Sequence, residues 1–533
     1  MNQGWIGYFE PGKEVAMSII KVFEEREGHI VEKCDCGSMS LSCGNESLAG
    51  AVSQRACVYS GARVTLNPLT DVLHLVHGPV GCASYTWDIR GSFTSGPTLY
   101  KNSFSTDLKE TDVIFGGEKK LAACIRELVA LYHPPAVFVY STCIVGLIGD
   151  DLNAVCRSAS DDLHIPVIPV KSEGFKGTKS EGYKAACNAL FELIGTGDYI
   201  PWSSYCINLL GEYNVAGDLW SIKPLFEEMG IEIVATLTGD GRVEQVQRSH
   251  VAKLNLVQCS GSMTYLAKNM EAKYGMPYRR VSFFGLRDMA LALRTPAEYF
   301  QDRALMNRAE EIIERETSRV MPWISHFREK LSGKKAAIYM GGAAKAISLV
   351  RAFEELGMDV VVIGTQTGDN HDYKNIGHMV KNGTVIVDDT NPLELRELLV
   401  RQNADILVAG VKERFLAYKL GIAFCDFNHD RTLNFEGFDG MVNFARELDS
   451  SIHNPVWKLP LQRGVENKKH STLRRFQCRS CGYSFEMSPC ASGKHGWDMS
   501  CPSCGGRLKR IDDNPCKRSC SPDQCKICGM CKD

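Results

Sequence analysis

The stretch 336–363 constrains the chain more than any other. Ala336-Ala337-Ile338-Tyr339-Met340 reads as a buried strand, Gly341-Gly342 as a tight turn, and 343–356 as a helix stopped by Gly357; 360–363 reads as the next strand. Two strands joined through a helix form a parallel pair with a right-handed crossover. The same alternation begins near residue 110. Strands are expected over 136–141, 165–170, 206–211, 231–235 and 254–258, and helices over 150–161, 220–229 and 263–274. A chain patterned this way is α/β, and such sheets present ligand sites at the carboxyl ends of their strands. Gly341-Gly342 lacks a full Gly-x-Gly-x-x-Gly, so it reads as close helix–strand packing and not as a phosphate loop. With 533 residues, one core is not enough and three or four domains are expected.

Cysteine usage is the second constraint. Of 22 cysteines, twelve are spread over 34–425 and ten crowd into 478–531. Net charge is −2, which points to neither a nucleic-acid partner nor a membrane surface. No apolar run reaches transmembrane length and the first residues lack a signal-peptide pattern, so a cytoplasmic location is expected. In that compartment the cysteines argue for metal ligation, not disulfides. Cys57, Cys82 and Cys143 each sit beside a glycine or at the end of an apolar run, where a turn can aim a thiol at a pocket. Three thiolates from three loops suit an iron–sulfur cluster if a fourth ligand comes from elsewhere. Any one of them alone is better read as a small buried hydrophobe. Cys34, Cys36 and Cys43 match no strong metal spacing and read as a reduced surface loop; a helix is expected before them over 15–27.

The flanking motifs carry a resemblance. Residues 66–82, ending His77-Gly78-Pro79-Val80-Gly81-Cys82, are similar to the nitrogenase component 1 family. So are Phe104-Ser105-Thr106-Asp107-Leu108, the run 113–121 around Gly116-Gly117-Glu118, and Leu147-Ile148-Gly149-Asp150-Asp151. The run Ser84-Tyr85-Thr86-Trp87-Asp88-Ile89-Arg90-Gly91 resembles the family's cofactor-assembly scaffold branch. The likeness spans about 50–460. It implies three Rossmann-like parallel-sheet subdomains around a deep site, in a body over 51–462 that follows an N-terminal segment over 1–50. It also implies that Cys57, Cys82 and Cys143 hold a 4Fe-4S cluster at a subunit interface, with the fourth ligand from a NifN-type partner in a heterotetramer. Cys259, at a strand end in Leu256-Val257-Gln258-Cys259-Ser260-Gly261, matches the family cysteine that binds one end of the large iron–sulfur cofactor or its precursor. Lys412 resembles the lysine that meets the cofactor's homocitrate; read bare, it is a solvated lysine at a helix start.

Two departures separate the branches. The catalytic α subunit carries a histidine before the turn that reads Gly437-Phe438-Asp439-Gly440 here, and this chain has Glu436. A second catalytic histidine is matched by Tyr183. A site without these imidazoles is poorly equipped for multi-proton reduction and lets a finished cofactor leave. The resemblance therefore implies a scaffold for assembling the iron–molybdenum cofactor, served by the nitrogenase iron protein and by precursor donor and carrier proteins. A catalytic α subunit of a nitrogenase or related reductase, and a scaffold for an alternative-nitrogenase cofactor, are the competing readings.

The tail is a different kind of protein. A basic stretch over 468–475 reads as a linker, placed at 463–475, and a cysteine-rich module follows over 476–533. Cys478-Arg479-Ser480-Cys481 and Cys501-Pro502-Ser503-Cys504 are two Cys-x-x-Cys knuckles with 19 residues between them, a four-cysteine site similar to rubredoxin. Iron and zinc fit such a site equally. Cys525, Cys528 and Cys531 resemble the core of a ferredoxin loop, with Cys520 or Cys516 as a fourth ligand. The usual Cys-Pro is absent there, and a reduced, disordered tail is the alternative.

Overall fold

The computed structural model describes residues 24–34, 41, 57–84, 102–428, 431–457, 474–487 and 500–511. Contacts divide the chain into two units, Met1–Asn454 and Pro455–Asp533.

The first unit holds three sheets. Its first described strand, β1 (Ile30–Glu32), belongs to the last of them. The first sheet comprises β2 (Leu73–His77), β3 (Ser103–Ser105), β4 (Val137–Ser141) and β5 (Val167–Val170), ordered β3-β2-β4-β5 and all parallel. The second comprises β6 (Cys206–Leu210), β7 (Glu232–Leu237), β8 (Leu254–Val257) and β9 (Tyr278–Arg280), ordered β9-β8-β6-β7, again all parallel. The third comprises β10 (Lys335–Met340), β11 (Asp359–Thr365), β12 (Val385–Asp388), β13 (Ile406–Ala409) and β14 (Ala423–Asp426), with β1 added antiparallel to β12. Its order is β1-β12-β11-β10-β13-β14. Every residue of β2, β4, β6 and β8 is buried, because helices cover both faces of these sheets. That burial explains why β4 reads as an apolar run, while His74, Asn208 and Asn255 are buried polar residues within the other strands.

One detail departs from the sequence reading. In place of a helix over 15–27, residues Glu24–His29 form a 3-10 turn that leads into β1; the rest of that expected helix lies outside the described residues. Buried Arg26 fastens the segment, donating to Glu394 Oε1 at 2.9 Å and to the Asp389 carbonyl at 3.0 Å. A three-residue strand leaves no period for sequence to show.

Helices Val58–Leu66 and Lys179–Leu193 cross at a glycine contact. A Cβ on Gly61 would lie 2.2 Å from the Lys179 carbonyl oxygen, and one on Gly182 would lie 2.1 Å from that of Val58. Backbone cannot yield as a side chain does, so both positions must be glycine.

In the second unit, β15 (Arg474–Cys478), β16 (Ser484–Met487) and β17 (Leu508–Arg510) form an antiparallel sheet ordered β16-β15-β17. Phe476 stacks on Phe485 with ring centroids 5.8 Å apart. Among the described residues, no helix is long and apolar enough to cross a membrane.

Candidate metal centres

Cys82 and Cys143 leave adjacent parallel strands at their carboxyl ends. Cys82 lies in helix Val80–Ser84 beyond β2, and Cys143 opens helix Cys143–Ile148 beyond β4. The two loops are locked together. The Thr142 hydroxyl donates to the His77 carbonyl at 3.0 Å, and a Cβ on Gly78 would lie 2.3 Å from Thr142 Oγ1. His77 is buried between Thr106 Oγ1 (3.1 Å) and Asp150 Oδ2 (3.0 Å), while Gly117 N–H donates to Asp150 Oδ1 at 3.0 Å. Burial lowers the His77 pKa against the pull of Asp150. The four motifs that carried the resemblance thus form one network behind these thiols.

Cys57 reaches the same place from the glycine crossing. It is the N-cap residue of helix Val58–Leu66, and its backbone bridges to Thr178, the N-cap of the crossing helix. Gly174 lies between two of the thiols: a Cβ there would be 3.0 Å from Cys143 Sγ and 3.4 Å from Cys57 Sγ. The Cys82 thiol pKa is raised by burial and then by the charges of Cys143 and Cys57. The structure therefore brings the three cysteines together. The sulfurs of Cys478, Cys481, Cys501 and Cys504 all lie within 4.8 Å of one another. Sulfurs on one tetrahedral ion stand roughly 4 Å apart, given metal–sulfur bonds of about 2.3 Å. Three thiols converging from separate loops suit an iron–sulfur cluster. Exposed Val80 and Leu147 share helices with Cys82 and Cys143, Phe175 follows Gly174, Ile114 and Phe115 end helix Glu110–Phe115, and Cys57 itself is exposed. Apolar surface of this kind marks an interaction site.

Cys259 stands at the carboxyl ends of the second sheet. It caps helix Ser260–Tyr274 just beyond β8, and Gly211 follows neighbouring β6 at φ +83°. A Cβ on Gly211 would come within 2.8 Å of Cys259 Cβ, so glycine lets the two strand ends close. Preceding Gln258 donates through Nε2 to Glu436 Oε1 at 2.5 Å. Glu436 is 1% exposed and occupies the N-cap of helix Gly437–Ile452, yet its carboxyl makes no capping bond. Nearby, Arg431 grips Asp218 with two bonds of 2.6 and 2.7 Å. Burial, then Glu212 and Asp218, push the Glu436 carboxyl well above the usual range. Burial and Asp218 raise Glu212 to about 7. Burial opposes ionisation of Asp218 too, but Arg431 overcomes it and holds that carboxyl low. Sequence reasoning missed Glu212, Asp218, Arg431 and Gln258; the Arg431–Asp218 pair spans 213 residues, a separation no local pattern can show.

The other expected residues are placed separately. Tyr183 is half-buried on helix Lys179–Leu193, with Lys179 Nζ 5.8 Å from its ring centroid. Lys412 is exposed on the turn Val411–Glu413 beyond β13. Beside it Glu413 is buried, and burial raises its carboxyl to about 7.

In the second unit, Cys478 Sγ is 3.5 Å from Cys504 Sγ, and Cys481 Sγ is 3.7 Å from Cys501 Sγ. Ser480 N–H points at Cys478 Sγ (3.3 Å) and Ser503 N–H at Cys501 Sγ (3.4 Å). The N–H groups of Cys481 and Ser480 pull the Cys478 thiol down to about 6 against burial. Such a set favours thiolates and fits one tetrahedral ion. Cys516, Cys520, Cys525, Cys528 and Cys531 lie outside the described residues, as do Cys36 and Cys43. One thiol departs from the expectation of reduced cysteines: Cys34 is disulfide-bonded.

Residues 57–453 match the family described as nitrogenase component 1 type oxidoreductase. The nitrogenase iron-molybdenum cofactor biosynthesis protein NifE of Methanosarcina barkeri is 61% identical over 458 residues, covering 84% of this chain and 99% of that protein. NifE of Clostridium pasteurianum is 53% identical, covering 82% and 97%. A solved structure of nitrogenase Cp1 at pH 5 superposes with a TM-score of 0.76 at 34% identity, covering 83% of this chain and 97% of that one. The match begins at Cys57, takes in the parallel strands of all three sheets and ends before the knuckles at Cys478. The chain belongs to the nitrogenase component 1 family.

Proposed function

We propose that the chain is a scaffold subunit on which the iron–molybdenum cofactor of nitrogenase is assembled and matured. The observation that carries this reading is Glu436. Where the resemblance expects an imidazole in a catalytic subunit, this chain buries a carboxyl bonded to Gln258. High identity to proteins named for cofactor biosynthesis supports the same branch.

Cys57, Cys82 and Cys143 would hold a 4Fe-4S cluster, which supplies one-electron exchange, and a NifN-type partner would supply the fourth ligand. The apolar rim at Ile114, Phe115, Leu147 and Phe175 fits such a partner in a heterotetramer. Cys259 attaches one end of the iron–sulfur precursor, which is cargo and not a resident group. Lys412, an exposed ammonium, meets the carboxylates of homocitrate. The nitrogenase iron protein docks to deliver electrons, and carrier proteins bring the precursor and take the matured cofactor away. This work is cytoplasmic. The body spans 51–462, the linker 463–475 and the tail 476–533. Cys478, Cys481, Cys501 and Cys504 hold iron or zinc, and the further tail cysteines hold a second centre.

Metal analysis tests the reading. Full-length chain purified anaerobically with its partner, from cells that make the precursor, should carry iron beyond the interface cluster and the tail. Cys259→Ala should lose that surplus alone. Equal iron in the variant would refute attachment at Cys259.

A further inference from the structure

Glu436 is a costly residue where it stands. A buried carboxyl normally repays its desolvation by pairing with a cation or capping a helix. Arg431 and Lys345 both lie near enough to favour its charge, yet burial outweighs them, and Arg431 spends two of its bonds on Asp218. The helix that Glu436 opens receives no bond from its side chain. Among the described residues its carboxyl has one hydrogen-bond partner, Gln258, 178 residues away and next to Cys259. Its backbone is fixed independently: Gly437 N–H donates to the Phe283 carbonyl at 2.9 Å, and Glu436 bridges to Phe284. The carboxyl therefore extends from a rigid anchor to the strand end that bears the cargo thiol. Two buried oxygens remain, Glu436 Oε2 and Gln258 Oε1, and neither has a partner among the described residues.

We propose that Glu436 is the positioning residue for cargo at Cys259: its bond to Gln258 fixes the strand end from which the thiol projects, and the two unpartnered oxygens are left for polar groups of the cargo. This rests on the reading of Cys259 as the attachment point. Burial and Glu212 favour the neutral carboxyl, and in that form Oε1 accepts from Gln258 while the proton belongs to Oε2. The pair then offers one O–H donor and one carbonyl acceptor, and no anionic ligand. Bridging sulfides and carboxylate oxygens of an iron–sulfur cargo are acceptors for that donor. Cargo is thereby oriented without a second metal–protein bond and can leave when the single thiolate bond breaks.

The test compares Glu436→Gln, Glu436→Ala, Gln258→Ala and Cys259→Ala in the full-length chain with its partner, purified anaerobically from precursor-making cells. Iron content and the electron paramagnetic resonance of the cargo are read on each, and the interface-cluster signal reports folding. Glutamine keeps a neutral hydrogen-bonding group, so Glu436→Gln should retain wild-type cargo and line shape. Glu436→Ala and Gln258→Ala should each lower cargo about 5- to 10-fold, as loss of a buried hydrogen bond does, and broaden its signal. Should Glu436→Ala lose the interface signal as well, Gln258→Ala decides. Wild-type cargo in both alanine variants, with Cys259→Ala empty, would overturn the proposal and spare the attachment reading. A Glu436→Gln loss as deep as that of Glu436→Ala would overturn it in favour of direct carboxylate ligation. Full cargo in Cys259→Ala would remove the attachment reading and the proposal together.

Discussion

Gly174 shows how closely single residues fit the triad. The sulfurs of Cys143 and Cys57 crowd the place its Cβ would take. Free thiols can rotate away from a new methyl group, whereas thiolates bound to iron cannot. Gly174→Ala should therefore empty most of the interface cluster yet change folding stability by less than about 1 kcal/mol. Iron per chain and a urea midpoint check both halves; full iron with a lost fold would contradict it. Cys57→Ala, Cys82→Ala and Cys143→Ala should each lower bound iron and weaken the heteromer, since a methyl group is no ligand. Normal iron in all three would remove the assignment. Glu413 gives a pH prediction. Its folded pKa of about 7 lies above the unfolded value near ~4.3. Between the two the native state binds more protons, so the contribution of Glu413 to stability is full below the unfolded value and is lost as pH rises through 7. Glu413→Gln should flatten the fall by roughly 2 kcal/mol between pH 5 and 8. Urea midpoints with the same slope in both proteins would exclude this role.

At the scale of elements, the crossing of helices Val58–Leu66 and Lys179–Leu193 carries Cys57 to its partners. Gly182→Ala would press a Cβ against backbone at Val58 and Ala62, forcing the helices apart. A loss of about 1–3 kcal/mol is expected, together with reduced cluster iron. An unchanged melting temperature would mean the contact is looser than described. The crossing is invisible in sequence, because glycine in a helix looks like a weak spot until its neighbour is known. The strands were legible for the opposite reason. β4 and β10 are apolar runs closed by turn residues, and burial on both faces demands such runs. β1 and β3, three residues each, are too short to carry a pattern. The cysteines themselves were conspicuous. Their convergence was legible only through the flanking motifs, whose His77, Thr106, Gly117 and Asp150 prove to be the network behind Cys82 and Cys143. The acids around Glu436 gave no signal, since each is an ordinary residue until folding brings the group together.

At the scale of the whole molecule, the chain joins a family body to a small cysteine module. The relative from Methanosarcina barkeri is covered over 99% of its length while 16% of this chain lies outside the alignment. A sheet of three short strands buries little, so the module should fold only with a metal on Cys478, Cys481, Cys501 and Cys504. Anaerobic metal analysis of the full chain should find iron or zinc there, lost in Cys478→Ala; neither metal would leave the segment a thiol-rich extension. Ending the chain near residue 462 should spare the interface cluster and the partner. The central claim, assembly and not turnover, is tested most directly by incubating the anaerobic complex with cofactor-deficient nitrogenase, iron protein and ATP, and measuring ammonia with and without the recipient. The account predicts ammonia only when the recipient is present, because this chain hands its cargo on. Sustained ammonia from the complex without the recipient would contradict it.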